Sequence, residues 1–174
     1  MDISVRRITD PRFFNRHVTE VAHDLIGKAL VFQNHQGIIT ETEAYRGRDD
    51  PASHAYPGLT PRNKAMFGPP GHVYIYLIYG MYYCLNIVTE EEGSPSAVLI
   101  RGLQLPDIHL NGPGKICRYL GITKNEYGIN LLRHEDFYIA EGSNLLNIIA
   151  TPRIGITKAT DKLWRFLGST QSIL

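Results

Sequence analysis

Apolar positions recur with period two along much of this chain. The densest such stretch, Gly71 to Val88 (GHVYIYLIYGMYYCLNIV), holds five of the ten tyrosines. Tyr, Val, Ile and Leu suit a pleated, half-buried surface and glycine permits a reversal, so two strands are predicted around Tyr79-Gly80-Met81. Before the turn, Tyr74, Tyr76 and Ile78 share one face and Val73, Ile75 and Leu77 the other. The aliphatic face suits a core and leaves Tyr76 looking into a cleft. At the tip, an aromatic and a methionine stand where polar residues are usual, which points to a partner surface. Upstream, Phe14, Val18, Val21 and Leu25 recur at helical spacing after Asp10-Pro11 and predict one helix, or two with Thr19 capping the second, ending at Gly27. Ala29 to Phe32 and Ile38 to Tyr45 predict a hairpin turning over Asn34 to Gly37. Downstream, Ser96 to Arg101, Phe137 to Ala140 and Leu146 to Ile149 predict strands. Asn111-Gly112-Pro113-Gly114 leads into a predicted helix over Lys115 to Leu120, stopped by Gly121. Asp161 to Leu167 predicts a terminal helix with Trp164 in the core.

Composition narrows the class. A chain of 174 residues with 43% hydrophobic content fits one globular domain, residues 1–174, with a sizeable core. A net charge of +1 gives no global nucleic-acid signature, so any such face must come from local clustering. Cys84 and Cys117 make neither a disulfide framework nor a metal spacing and read as buried thiols in a reducing compartment. The opening MDISVRRITD lacks the apolar region of a leader, and no apolar run approaches the length of a membrane span. The expected place is the cytoplasm, with no membrane contact.

The chemistry gathers where the second predicted strand ends in ETEAY. Alternation puts Glu41, Glu43 and Tyr45 on one face, opposite Thr40, Thr42 and Ala44. A carboxylate beside an aromatic at a strand end, followed by a long loop, fits a catalytic site. A solvated face is the simpler reading for Glu41. Glu43 stands just where the chain leaves the sheet and is the stronger candidate. The loop Arg46 to Asn63 is punctuated by Pro and Gly and holds His54 with Arg46, Arg48 and Arg62, partly offset by Asp49 and Asp50. His54 gains interest because this loop can fold back over Glu43 and Tyr45. Thr60-Pro61 has the form of a helix start, with a short helix stopping near Gly68 and an N-terminus able to seat a phosphate. The glycines around Pro113 lack a nucleotide-binding fingerprint, and a loop and turn is favoured there over a phosphate cradle. Arg153, Lys158, Lys162 and Arg165 form a second basic cluster, for which a solvated surface is the simplest reading. No Cys/His spacing calls for a metal, and Glu43 with His54 supplies two ligands at best, so no cofactor is expected.

Taken together, ETEAY, DPASHAY, TPRN, MFGPPGHVYIYLIYGMYYCLN, AVLIRGL, NGPGK and PRIGI resemble the alkyladenine (methylpurine) DNA glycosylase family, in its compact bacterial form. The likeness runs over nearly the whole chain, from AHDLIGK to WRF. It implies an α+β fold: a single mixed domain with a curved antiparallel sheet flanked by helices and a projecting tyrosine-bearing hairpin. It also implies roles. Glu43 matches the general base that activates water, Arg101 the arginine that helps hold that water, and Ile154 a position whose backbone carbonyl contacts it. Tyr45, His54 and Tyr76 match the residues that sandwich an extruded purine. Asn86 matches the asparagine that crowds the 2-amino group of normal guanine. Tyr79 matches the side chain that fills the gap left in the duplex, with Met81 and Tyr82 beside it and Arg62 on the DNA-facing loop. The chain departs from the family pattern in a short Arg101–Asn111 connection and in Leu163, where proline is expected.

The implied activity is a monofunctional purine DNA N-glycosylase acting on double-stranded DNA that contains damaged purines. The chain would work as a monomer and leave an abasic site. Extruding a base costs a few kcal/mol, least for damaged pairs, and an aromatic returns about 1–3 kcal/mol per stacked base. No lysine adjoins Glu43 as a Schiff-base nucleophile would. Two other readings stay open. A non-catalytic base-stacking module would tolerate Glu43→Gln, and a free purine nucleoside hydrolase would tolerate Tyr79→Ala.

Overall fold

Residues 6–143 and 147–169 are described by a computed structural model. The strands are β1 (Ala29–Phe32), β2 (His35–Arg46), β3 (Val73–Ile78), β4 (Tyr82–Val88), β5 (Ser96–Gln104), β6 (His109–Asn111), β7 (Phe137–Ala140), β8 (Asn147–Thr151) and β9 (Arg165–Ser169), with helices α1 (Val18–Leu25) and α2 (Pro113–Leu120). All the strand pairs are antiparallel and make one curled half-barrel sheet in the order β3-β4-β5-β2-β1-β7. β6 joins β5, and β9 links β2 to β8. The fold is therefore the expected α+β class in a single domain.

β2 is the axis. It is flanked along one edge by β5, while its other edge is shared: β1 pairs Phe32 through Ala29 with His35 through Ile38, and β9 then takes over opposite Glu41, Thr42 and Glu43. Alternation along β2 works as predicted on the core side, where Ala44 joins the main core and Thr42 Oγ1 donates to the Ala22 carbonyl of α1 at 2.8 Å. α1 buries Val18, Val21, Ala22 and Leu25 on that core, and α2 buries Ile116, Cys117 and Leu120. The first free N–H of α1, that of Val18, donates to Glu90 Oε2 at 3.1 Å, so an acidic side chain from beyond β4 caps the helix.

The β2–β5 ladder slips twice around Glu41. Ile39 pairs with Leu103, Glu41 with Gly102 and Thr42 with Ile100. Thr40 is thus the extra residue on β2 and Arg101 the extra residue on β5. Bulges of this kind re-aim a side chain beside a functional site. The crossing is close: a Cβ on Gly102 would stand 2.5 Å from Thr40 Oγ1 and 2.9 Å from Glu41 Cβ.

Several sequence expectations are corrected. The first hairpin turns at Gln33 and Asn34, and His35 to Gly37 already belong to β2. Gly37 is needed there for room, since a Cβ would meet Leu103 Cγ at 2.7 Å. The Asp10-Pro11 start yields only a 3-10 turn, Pro11–Phe13, before α1 begins at Val18 with His17, not Thr19, as its N-cap. Thr60-Pro61 does not start a helix; the helical turn is a 3-10 segment at Lys64–Phe67. The predicted terminal helix is strand β9, because β1 stops short and leaves the Glu41–Glu43 edge of β2 to be paired. Phe166 is buried there while Leu163 is exposed, and Trp164 packs half-buried on the core. Of the strand expected over Leu146 to Ile149, Leu146 lies outside the described residues and the rest belongs to β8.

Gly102→Ala should destabilise the protein by about 1–3 kcal/mol, the cost of overpacking where backbone and Cβ atoms cannot yield. Urea unfolding checks it.

Candidate active site

A pocket of about 280 Å³ opens where the end of β2, the β3–β4 hairpin, the β5 bulge and the segment after β8 meet. Tyr45, His54, Tyr76, Asn86, Arg101 and Ile154 line it, and Tyr79 stands at its rim. These residues, scattered over more than half of the chain, were all singled out from the sequence. Glu43 lies behind them and is wholly buried. Its Oε1 accepts from the Tyr45 hydroxyl at 2.9 Å and its Oε2 from the Ile154 N–H at 2.6 Å. Arg101 Nη1 stands 3.6 Å from Oε1. The backbone of Ile154 therefore enters the site through its N–H on Glu43. Burial pushes the Glu43 carboxyl above its ordinary range, and Arg101, the Ile154 N–H and the Tyr45 hydroxyl only partly offset that.

The aromatic wall is a packed cluster. The His54 and Tyr76 rings meet edge to face at 4.2 Å, and His54 Nδ1 lies 3.3 Å from the Tyr74 hydroxyl. Tyr74 in turn packs against Tyr127, whose hydroxyl accepts from Ala65 N–H and donates to the Arg62 carbonyl. Burial, then the nearby Arg62 charge, holds His54 below its ordinary pKa, so it is a neutral imidazole at neutral pH. Burial raises Tyr45 and Tyr76 well above the usual phenol range and pushes the Cys84 thiol up to about 11. Arg101 is thus the charged side chain among the lining residues, with the Glu43 carboxyl behind it. Asn86 is buried in β4, its amide donating to the Cys84 carbonyl at 3.3 Å.

The hairpin tip projects. Tyr79 is 88% exposed and Met81 65%. Tyr79 and Gly80 have φ of +52° and +65°, the two successive positive values that a type I′ turn needs. Met81, Tyr82 and Arg62 do not line the pocket. Tyr82 lies against the backbone of Gly114, where a Cβ would meet its Cδ1 at 3.1 Å. The Arg62 guanidinium donates to the Leu77 carbonyl and so fastens the loop to β3.

Four further residues build the site, and sequence reasoning missed them. Arg153 was expected on a solvated surface. It is buried, donating to Asp50 Oδ2 at 2.6 Å, Asp50 Oδ1 at 2.8 Å and the Ala44 carbonyl at 2.9 Å, with its guanidinium 4.8 Å from the Tyr45 ring centre. Asp50 also accepts from the N–H groups of Arg46 and Ala52. Burial opposes its ionisation, but Arg153 and those N–H groups outweigh it and hold the carboxyl below the ordinary range. Asn63 binds the loop internally, donating to the carbonyls of His54 and Gly58 at 3.1 and 2.9 Å. Glu41, expected to be solvated, is buried between Arg101 and Arg165. The signal available for Asp50, Asn63 and Arg153 was their place inside the motifs DPASHAY, TPRN and PRIGI.

Residues 12–172 match the model of the methylpurine-DNA glycosylase (MPG) family. A protein of Sodalis glossinidius is 55% identical over 157 residues, covering 88% of this chain and 92% of its own. One from Rickettsia felis is 52% identical over 158 residues and covers 89% of both chains. One from Ehrlichia ruminantium is 52% identical over 161 residues, covering 89% of this chain and 86% of its own. All three carry the name "Putative 3-methyladenine DNA glycosylase". The chain belongs to the methylpurine-DNA glycosylase family. It stands with the DNA glycosylases of base excision repair that process alkylated purines. Among the described residues of this glycosylase, no three His, Cys, Asp or Glu side chains are grouped to hold a metal, and no helix is long and apolar enough to cross a membrane.

Asp50→Asn should cost about 3–5 kcal/mol, because it strands the buried Arg153 charge. Asp50 has a lowered folded pKa. Its contribution is therefore complete above the unfolded value of about 3.9 and lost as pH falls towards the folded one. Urea titrations at neutral and acid pH should show the wild-type advantage over Asp50→Asn shrinking only in acid.

Proposed function

We propose that this glycosylase is a monofunctional hydrolase that extrudes damaged purines from duplex DNA and cleaves the N-glycosidic bond with a water activated by Glu43. The observation that carries the reading is the Glu43 carboxyl, wholly buried behind an aromatic pocket whose rim bears an exposed tyrosine on a projecting turn. The flipped purine would stack among Tyr45, His54 and Tyr76, and Asn86 would crowd the 2-amino group of normal guanine. Electron-poor alkylated purines such as 3-methyladenine suit electron-rich tyrosine faces, by the electrostatics that place a cation over a ring. Tyr79 would enter the minor groove and fill the vacated space, as wedge side chains do, with Met81 and Tyr82 beside it.

In the chemical step the water oxygen bonds to the anomeric carbon while its proton passes to Glu43. The electron pair of the broken N-glycosidic bond leaves with the purine. Positive character on the sugar is stabilised by the ionised carboxylate, as in glycoside hydrolysis. Arg101 and the Ile154 backbone carbonyl would hold the water. The whole chain would act as one glycosylase domain, as a monomer in the cytoplasm. A free nucleoside hydrolase could use the same pocket, but it has no use for the Tyr79 tip.

Single-turnover base release from duplexes carrying methylated purines, hypoxanthine or ethenoadenine tests the reading. Glu43→Gln should lower the rate ~10²–10⁴-fold while lesion binding persists. Tyr79→Ala should weaken lesion-duplex binding; a silent Tyr79→Ala would favour the nucleoside hydrolase. Strand nicking trapped by borohydride would remove the monofunctional assignment.

The working form of Glu43 is ionised, and burial raises its pKa. The single-turnover rate should therefore fall as pH drops, with a midpoint above the ordinary glutamate value of about 4.3.

A further inference from the structure

The β5 bulge gives Arg101 two carboxylates to choose between. Its Nε donates to Glu41 Oε2 at 3.0 Å, whereas its Nη1 stands 3.6 Å from Glu43 Oε1, within ion-pair range but beyond a good hydrogen bond. Arg165 on β9 donates from Nε to the same Glu41 oxygen at 2.7 Å and from Nη1 to Thr151 Oγ1 at 3.2 Å. The Glu41 side chain is 9% exposed, and its backbone is pinned against Gly102. A guanidinium is a rigid planar fork, so anchoring Nε goes far towards fixing where both Nη groups point.

We propose that Glu41 is a positioning residue for the hydrolytic step: by holding Arg101 through Nε, it keeps the guanidinium beside Glu43 without letting it close on the base. This rests on the reading of Glu43 as general base.

The stand-off matters because both extremes are unproductive. An arginine clamped bidentately on Glu43 would stabilise the ionised carboxylate and leave a weak base. With no arginine near, the buried carboxyl would hold its proton to higher pH. The groups facing Glu43 are Glu41 and the Tyr45 hydroxyl from β2, Arg101 from β5, the Ile154 N–H, and Arg165, which pairs opposite it on β9. Arg153 acts one step removed, over the Tyr45 ring. Glu41 is the one like charge in this set, and it too favours the protonated form of Glu43. Arg165 balances Glu41, so two carboxylates face two guanidiniums. Removing the Glu41 charge therefore acts on Glu43 twice in the same direction: it deletes a like charge and frees Arg101 to close.

The test is single-turnover base release from a lesion-bearing duplex, followed from neutral to acid pH. The proteins are wild type, Glu43→Gln, Glu41→Gln, Glu41→Asp, Arg101→Lys and the Glu41→Gln/Arg101→Lys double variant, with circular dichroism melts alongside. Glu41→Gln should slow release by up to roughly 100-fold, the scale of a small misplacement in a catalytic site. It should also move the acid limb to lower pH and leave lesion binding little changed. Loss of stability alone would lower the active fraction without moving that limb. Arg101→Lys already lacks the Nε anchor, so adding Glu41→Gln should change its rate above the acid limb little, while the lost like charge still moves that limb to lower pH. Losses that multiply in the double variant would overturn the proposal, as would a folded Glu41→Gln with the wild-type rate and acid limb. If Glu41→Gln does not fold, Glu41→Asp decides: it keeps the like charge and alters only the anchor, so it should slow release with a smaller shift of the limb than charge removal gives, and a wild-type rate would overturn the idea. Release undiminished by Glu43→Gln is a separate result that removes the general base itself, and the Glu41 proposal with it.

Discussion

The buried pair between Arg153 and Asp50 is the interaction on which the site depends. Its partners lie 103 residues apart, and neither side chain has any exposure. Asp50 lies in the loop that carries His54. Arg153 precedes Ile154, whose N–H reaches Glu43, and it also binds the Ala44 carbonyl between Glu43 and Tyr45. One ion pair thus ties the end of β2, the loop and the segment after β8 to a common point. Desolvation makes such a pair poor value as a source of stability, since well-packed apolar groups often do as well. Arg153 Nε has no hydrogen-bond partner among the described residues, a further cost. What the pair supplies is registration between segments that the sheet alone does not align.

The same logic governs the charges inside. Glu43 is ionisable in a place that disfavours ions, and the compensation is incomplete: two hydrogen bonds and a guanidinium held off at 3.6 Å. Complete compensation would be easy to build, because Arg101 has spare donors and is within reach. The double slip of the β2–β5 ladder prevents it by directing Arg101 onto Glu41. A backbone irregularity is thereby converted into an electrostatic setting. Gly102 makes it possible, since any larger residue there would push Thr40 and Glu41 away.

Much of this was legible in the sequence where the information is local. Period-two alternation gave β3 and β4 and the two faces of β2. The Glu43-to-Tyr45 spacing on one face is the distance a hydroxyl needs to reach a carboxylate two residues back. Pocket residues from separated motifs were found because the motifs carried a family likeness, not because spacing brings Glu43 and Ile154 together. What stayed hidden depends on pairing across the chain. Glu41 looks solvated until Arg165, 124 residues away, is laid beside it. Arg153 looks like surface until Asp50 is folded under it. The terminal helix failed for a related reason: the residues from Asp161 to Leu167 have an ambiguous apolar pattern, and the vacant edge of β2 decided the outcome.

The hairpin tip closes the argument from the opposite side. Tyr79 adopts a left-handed backbone, a conformation that costs a non-glycine residue roughly 1 kcal/mol or more, and most of its surface stays in water. Tyrosine at that position therefore gains little within the folded chain to offset the strain. Met81, beside it, is also largely exposed. Asparagine or glycine would suit the turn better on local grounds. A sequence that sets a strained, exposed aromatic at the rim of an aromatic pocket is organised around a surface that is not its own. A stacked duplex, the partner proposed for this glycosylase, has an interior that would repay a flat, partly polar ring.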